Sequence, residues 1–152
     1  GWVRGRGGGN IDVRDMKEGT KVYLPVSHEG ALFWAGDVHG SQGDTEFTGT
    51  ADESCATVQF SCDVIKGTRV PWVRLEKEES LITLHSCRPL EDAVINAVTA
   101  LMDWMVELGV ETREAYLHMT LNPDFRVHVY QCVKLGNLGF TAGAEIPKRY
   151  LP

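Results

Sequence analysis

Between residues 57 and 65 apolar side chains alternate with polar ones. Val58, Phe60, Cys62 and Val64 fall on one face, and Gln59, Ser61 and Asp63 on the other. Period two is the mark of a strand with one buried face, so the pattern predicts a half-buried strand here. Shorter strand-like runs occupy residues 21–26, where Val22, Leu24 and Val26 alternate, and 31–35. The Ser-His-Glu-Gly connection between those two has the length of a hairpin loop. Residues 70–75 and 81–85 read as two further strands around the charged turn at 76–79, which makes the middle of the chain antiparallel β.

The period changes after residue 89. Leu90, Ala93, Val94, Ala97, Val98, Leu101, Met105 and Leu108 keep i, i+3, i+4 spacing, with Pro89 at the first turn and Gly109 placed to end a helix. A shorter helix is expected at 112–120, then a strand at 126–133, a glycine-rich turn at 136–143 and the tail IPKRYLP. Strands, a helical pair and a closing strand together predict an α+β domain with a mainly antiparallel β core.

At 152 residues the chain has the length of one compact domain, and a single domain over 1–152 is expected. With 15 basic against 21 acidic residues the net charge is −6. No basic face is therefore expected for nucleic acid or for an anionic membrane. No apolar run approaches the roughly 20 residues needed to cross a bilayer, and the N-terminus has no apolar signal region, so the cytoplasm is the expected compartment. The four cysteines at 55, 62, 87 and 132 form no CxxC pair and read as small buried hydrophobes in a reducing compartment. The opening residue is Gly1 rather than Met, as expected of a processed form or a piece of something longer.

One stretch is chemically dense. Residues 36–46 hold Asp37, His39, Asp44 and Glu46 within eleven positions that are almost devoid of large apolar side chains. Asp37 and His39 are two apart, as are Asp44 and Glu46, so in an extended chain each pair projects to one side. Glycines at 36, 40 and 43 allow tight backbone turns around a bound ion. Imidazole with carboxylates suits zinc or a similar divalent metal; a solvated acidic loop full of Asx turns is the competing account. There is no GxxxxGK[ST], no GxGxxG after a strand and no GxSxG elbow, so nucleotide binding and a serine triad lack support. His85, His118 and His128 fall in strand or helix positions and read as packed or surface histidines.

At these residues the sequence resembles the acetamidase/formamidase family. The similar block runs Leu24-Pro25-Val26, Gly30-Ala31-Leu32, Gly36-Asp37, His39, Gln42-Gly43-Asp44, Glu46, Gly49-Thr50-Ala51 and Glu53. It extends upstream to Gly8-Gly9-Asn10-Ile11-Asp12, and downstream through the helical pair to Asp124-Phe125-Arg126 and the Pro-Lys tail at 147–148. Gly40 and Ser41 stand where the family usually has two alanines, Thr45 where glycine is frequent and Asp52 where an apolar residue precedes Glu53. The resemblance covers nearly the whole chain but only the C-terminal half of the family's usual length.

The resemblance implies a β-sandwich related to jelly rolls, with an added helical portion. It also implies hydrolysis of a short amide, formamide or acetamide, to carboxylate and ammonia by water that a divalent metal activates, zinc first and calcium as the alternative. Within that expectation Asp37 and His39 are the leading metal ligands, with Glu46 and Asp12 behind them. Glu53 is the acid/base, with Asp44 as its substitute, and Asn10 holds the substrate amide. The partner is a small amide, and a homo-oligomer is expected to cover exposed faces. Formyl and acetyl differ by one methyl, worth only about 1–3 kcal/mol in a pocket, so the sequence does not choose between the two substrates. The alternative is a non-catalytic small-ligand or metal-binding module, or an inactive partial relative of the family. A third ligand supplied from within the chain favours the enzyme; a site open along one side favours the relic.

Overall fold

The computed structural model describes residues 5–152, so the non-Met start lies outside the described residues. Its main sheet has five antiparallel strands: β1 (Lys21–Tyr23), β4 (Arg74–Glu76), β5 (Ser80–Cys87), β7 (Phe140–Pro147) and β6 (Arg126–Gln131), in that spatial order. A second, two-stranded sheet pairs β2 (Val38–His39) with β3 (Glu53–Ser54). Two helices, α1 (Leu90–Glu107) and α2 (Thr112–Leu121), follow β5. The architecture is α+β and mainly antiparallel.

Helix α1 forms where its periodicity places it. Ala93 is buried, and Ala97, Leu101, Trp104 and Met105 are buried against Leu81 of β5 and Ala144 and Ile146 of β7. Its end is a Schellman motif: the Gly109 N–H donates to the Val106 carbonyl and the Val110 N–H to the Met105 carbonyl, each at 3.0 Å. Gly109 takes φ +100°, a left-handed value that favours glycine. The Glu111 carboxylate caps α2 by accepting the Glu114 N–H.

The opposite face of the sheet buries Val73, Leu75, Ile82, Leu84 and Tyr130 under Ile11 and Val13 of the N-terminal segment. Strand β5 is thus covered on both faces, which is why Leu81, Ile82 and Leu84 are all buried and no alternation shows there. A polar network fastens the N-terminal segment to this face. Lys77 Nζ donates to Asp15 Oδ1 at 2.9 Å and to Glu145 Oε1 at 3.1 Å, His128 Nε2 meets Glu145 Oε2 at 2.6 Å, and Tyr130 donates its hydroxyl to Asp15. Burial alone pushes the Glu145 carboxyl up, but hydrogen bonds from His128, Ser80 and Lys77 outweigh it and hold the group at about 2. Burial also pushes Lys77 down, and its bonds to Asp15 and Glu145 more than reverse that.

Several elements differ from expectation. Residues 57–65 form no strand, and Val58, Phe60, Cys62 and Val64 are all exposed. Alternation supplies a face but not a partner, and among the described residues neither sheet takes this segment as a strand. Residues 31–35 are also irregular, with Ala31 and Leu32 at φ +56° and +54°, values that no strand tolerates. The first strand is shorter than expected, and 70–75 contributes only from Arg74 onward.

The glycine-rich stretch at 136–143 is a turn only in its first part, because β7 begins at Phe140 and becomes an inner strand of the sheet. Its small residues are there for packing: a Cβ on Gly143 would lie 2.6 Å from Tyr130 Cε2. Cys55 and Cys62 are exposed rather than buried, since both lie in the irregular region beside β3 that no layer covers. His128 and His118 are packed, as expected. His85 stacks on Trp72 with ring centroids 4.0 Å apart.

Candidate metal centre

The hairpin of β2 and β3 builds the site. Its register sets His39 directly opposite Glu53, and the Gly40 N–H to Asp52 carbonyl bond at 2.7 Å continues the pairing. Side chains of facing residues lie within reach of one another. Asp37, two residues before His39, sits at φ +63°. The result is a cluster in which His39 Nε2 is 3.6 Å from both Asp37 Oδ1 and Glu53 Oε2. The three ligand atoms lie within 4.8 Å of one another. In a tetrahedral zinc site with bonds of about 2.1 Å, neighbouring donors are roughly 3.4 Å apart, so these residues fit such an ion.

His39 is the covered member of the group, at 13% side-chain exposure, whereas Asp37 and Glu53 are at 60% and 52%. Burial by itself pushes the His39 ring pKa down. A hydrogen bond with Gln42 and the charges of Glu53, Asp37 and Glu46 overcome this and raise it. The field at His39 is therefore negative and suited to a cation.

The other residues singled out in the sequence surround this cluster without joining it. Asp44 forms an ion pair with Arg14 at 2.6 Å. Glu46 is buried at 8% exposure and contributes its charge at His39. The Asp12 carbonyl accepts the Gln42 side-chain amide at 2.5 Å, and Asn10 lies two residues upstream on the same segment.

Backbone strain gathers here. Among the described residues seven non-glycines have positive φ; Asn10, Asp12, Asp37 and Glu46 are residues singled out for chemistry, and β-branched Thr45 at +73° adjoins them. Left-handed conformations in such residues persist only where the surroundings over-determine them. The loop is pinned to the main sheet by the Cys132 N–H donating to the Thr45 carbonyl at 2.7 Å.

The acid/base role expected of Glu53 requires it near His39, and strand register across fourteen residues brings the two together. Gln42 escaped the sequence reading: it stood in the family-like block with no role, although its position three residues after His39 was a usable signal. A cleft of about 420 Å³ beside Tyr23, Arg74 and Trp104 includes none of the cluster residues.

No helix among the described residues is long and apolar enough to cross a membrane. The model of the Acetamidase/Formamidase family matches residues 3–149. An acetamidase of Mycolicibacterium smegmatis is 42% identical over 62 residues, which are 40% of this chain and 15% of that protein. The crystal structure of an acetamidase from Yersinia enterocolitica superposes with a TM-score of 0.80 at 34% identity, covering 95% of this chain and 43% of that one. For an acetamidase from Bacillus halodurans the TM-score is 0.84 at 30% identity, with 94% and 47% covered. The chain thus spans less than half the length of these solved relatives. With nearly every residue matched by the family model, and the fold shared with solved members, this chain belongs to the acetamidase/formamidase family.

Proposed function

We propose that this chain carries the hydrolytic centre of a short-amide amidase of the cytoplasm, converting formamide or acetamide to carboxylate and ammonia. The observation that supports this most is the convergence of Asp37, just before β2, with His39 of β2 and Glu53 of β3 into one cluster of ligand atoms. An imidazole with two carboxylates matches zinc better than calcium, which takes six to eight oxygen ligands. A zinc ion held there would supply Lewis acidity toward an amide carbonyl and a water molecule.

Asp37 and His39 would hold the ion. Glu53 accepts a proton from water through its carboxylate and returns it to the leaving nitrogen as the C–N bond breaks, releasing ammonia. Asp44 is second choice for that role, because its 2.6 Å pair with Arg14 already engages the carboxylate. Asn10 orients the substrate amide. Glu53 as a third ligand is the second reading, favoured by its standing as close to His39 Nε2 as Asp37 does.

Asp37 and Glu53 are exposed, and Trp34 and Phe47, flanking the block in sequence, are 82% and 78% exposed. In this reading a homo-oligomer supplies the wall over this side. The test is ammonia release from formamide and acetamide by the purified chain, with metal content measured before chelation and after zinc restoration. Chelator-sensitive turnover is expected, and His39→Ala is expected to lose both metal and turnover with an unchanged circular-dichroism spectrum. Turnover that survives His39→Ala would place the site elsewhere. Glu53→Gln is expected to keep the metal and lower kcat; loss of the metal instead would make Glu53 a ligand.

A further inference from the structure

The ring of His39 has two nitrogens, and only a neutral imidazole with Nδ1 protonated offers the Nε2 lone pair to a metal ion on the side of Asp37 and Glu53. Gln42 decides which nitrogen carries the proton. Its Nε2 lies 2.5 Å from the Asp12 carbonyl oxygen and 3.2 Å from the Tyr130 carbonyl oxygen. Carbonyl oxygens only accept, so both contacts require the –NH2 end of the amide. The carbonyl end, Oε1, is thereby turned to His39 Nδ1 at 3.0 Å, and it too only accepts. Nδ1 must then carry the hydrogen, which leaves the lone pair of Nε2 facing the two carboxylates.

The two carbonyls that set this orientation sit on different elements. Tyr130 belongs to β6 and is fully buried, with its hydroxyl tied to Asp15, while Asp12 lies on the N-terminal segment that packs on the sheet. The main sheet therefore dictates, through one amide, the tautomer of a ring carried by the separate small hairpin. We propose that Gln42 is a positioning residue that locks His39 in its Nδ1–H tautomer and so presents Nε2 as the metal-binding atom. The inference rests on the proposed metal centre for its purpose, but its structural content holds for the protein without metal.

Long-range 1H–15N NMR of the metal-free protein, recorded at rising pH until the ring is neutral, reads the tautomer directly. The expected spectrum has a protonated Nδ1 and an unprotonated Nε2 for His39. A protonated Nε2 in the wild type would overturn the proposal, whether or not metal binds. Gln42→Leu removes the acceptor and is expected to lose the single tautomer. Gln42→Glu keeps an acceptor for Nδ1–H but turns a second carboxylate oxygen toward the Asp12 and Tyr130 carbonyls, which also only accept, so it is expected to retain the single tautomer in part. Equal spectra for Gln42→Leu and the wild type would also overturn the proposal.

Zinc affinity by calorimetry is the second readout. Gln42→Leu is expected to weaken zinc about 10–100-fold, with part of the loss restored in Gln42→Glu. If the wild-type tautomer and its loss in Gln42→Leu are as expected while no form binds zinc, the metal centre fails and the positioning role stands. If Gln42→Leu does not fold, the wild-type and Gln42→Glu spectra decide the question.

Discussion

Glu145 offers the sharpest quantitative test of the fold. It sits on β7, on the face shared with Tyr130, at 15% side-chain exposure, and takes hydrogen bonds from His128, Ser80 and Lys77. These hold its carboxyl at about 2 against an ordinary 4.5, despite a burial that acts in the other direction. At 1.36 kcal/mol per pKa unit, a difference of about 2.5 units corresponds to about 3 kcal/mol of native-state stability. The folded protein holds its proton less tightly than the unfolded chain does. The contribution is therefore complete above about pH 4.5 and is lost as pH falls from there towards about 2. Urea unfolding of the wild type and of Glu145→Gln, measured at intervals from pH 7 to pH 2.5, isolates this contribution from the other carboxylates, because only the difference between the two proteins matters. The variant is expected to be less stable by about 3 kcal/mol at pH 7, a large share of the typical 5–15 kcal/mol for a domain, with the gap closing below pH 4.5. A gap that stays constant down to pH 3 would refute the assignment of this network to the folded state.

Other measurements check other parts of the structure. Gly143→Ala places a Cβ 2.6 Å from Tyr130 Cε2 and 3.2 Å from Leu84 Cδ2. Such overpacking costs about 1–3 kcal/mol, so the melting temperature is expected to fall by several degrees, and an unchanged Tm would mean that the two central strands pack differently. Burial, helped by the positive charge of Arg6, pushes the His85 ring down to about 4. Its NMR titration is expected to show a neutral ring at pH 5, and a midpoint near 6.5 would contradict its place against Trp72. Because the unfolded chain takes up that proton first, His85 also makes the native state lose stability as pH falls from about 6.5 to about 4.

Helix α1 was legible in the sequence because helical periodicity is local. The apolar stripe, the proline at the start and the glycine at the end all lie within 21 residues, and the Schellman contacts complete what they announce. The chemical block was legible too, as residue types at short spacing: Asp37 and His39 share a side of one chain segment because they are two apart. Partnership between distant segments was not legible. The alternation at 57–65 describes a strand that finds no neighbour among the described residues, whereas the alanines and glycines of β7 resemble a turn and yet make an inner strand.

The same holds for the polar groups. Asp15, Lys77, His128 and Glu145 form one network across 130 residues of chain, and the Tyr130 carbonyl reaches Gln42 across 88. Sequence alone determined which side chains were present and which neighbours along the chain share a face. Only the tertiary structure decided which of them meet, because strand register and sheet order arise from packing summed over the whole domain. That is why Glu53 stands opposite His39, and why an amide anchored to a buried strand orients the ring on the hairpin.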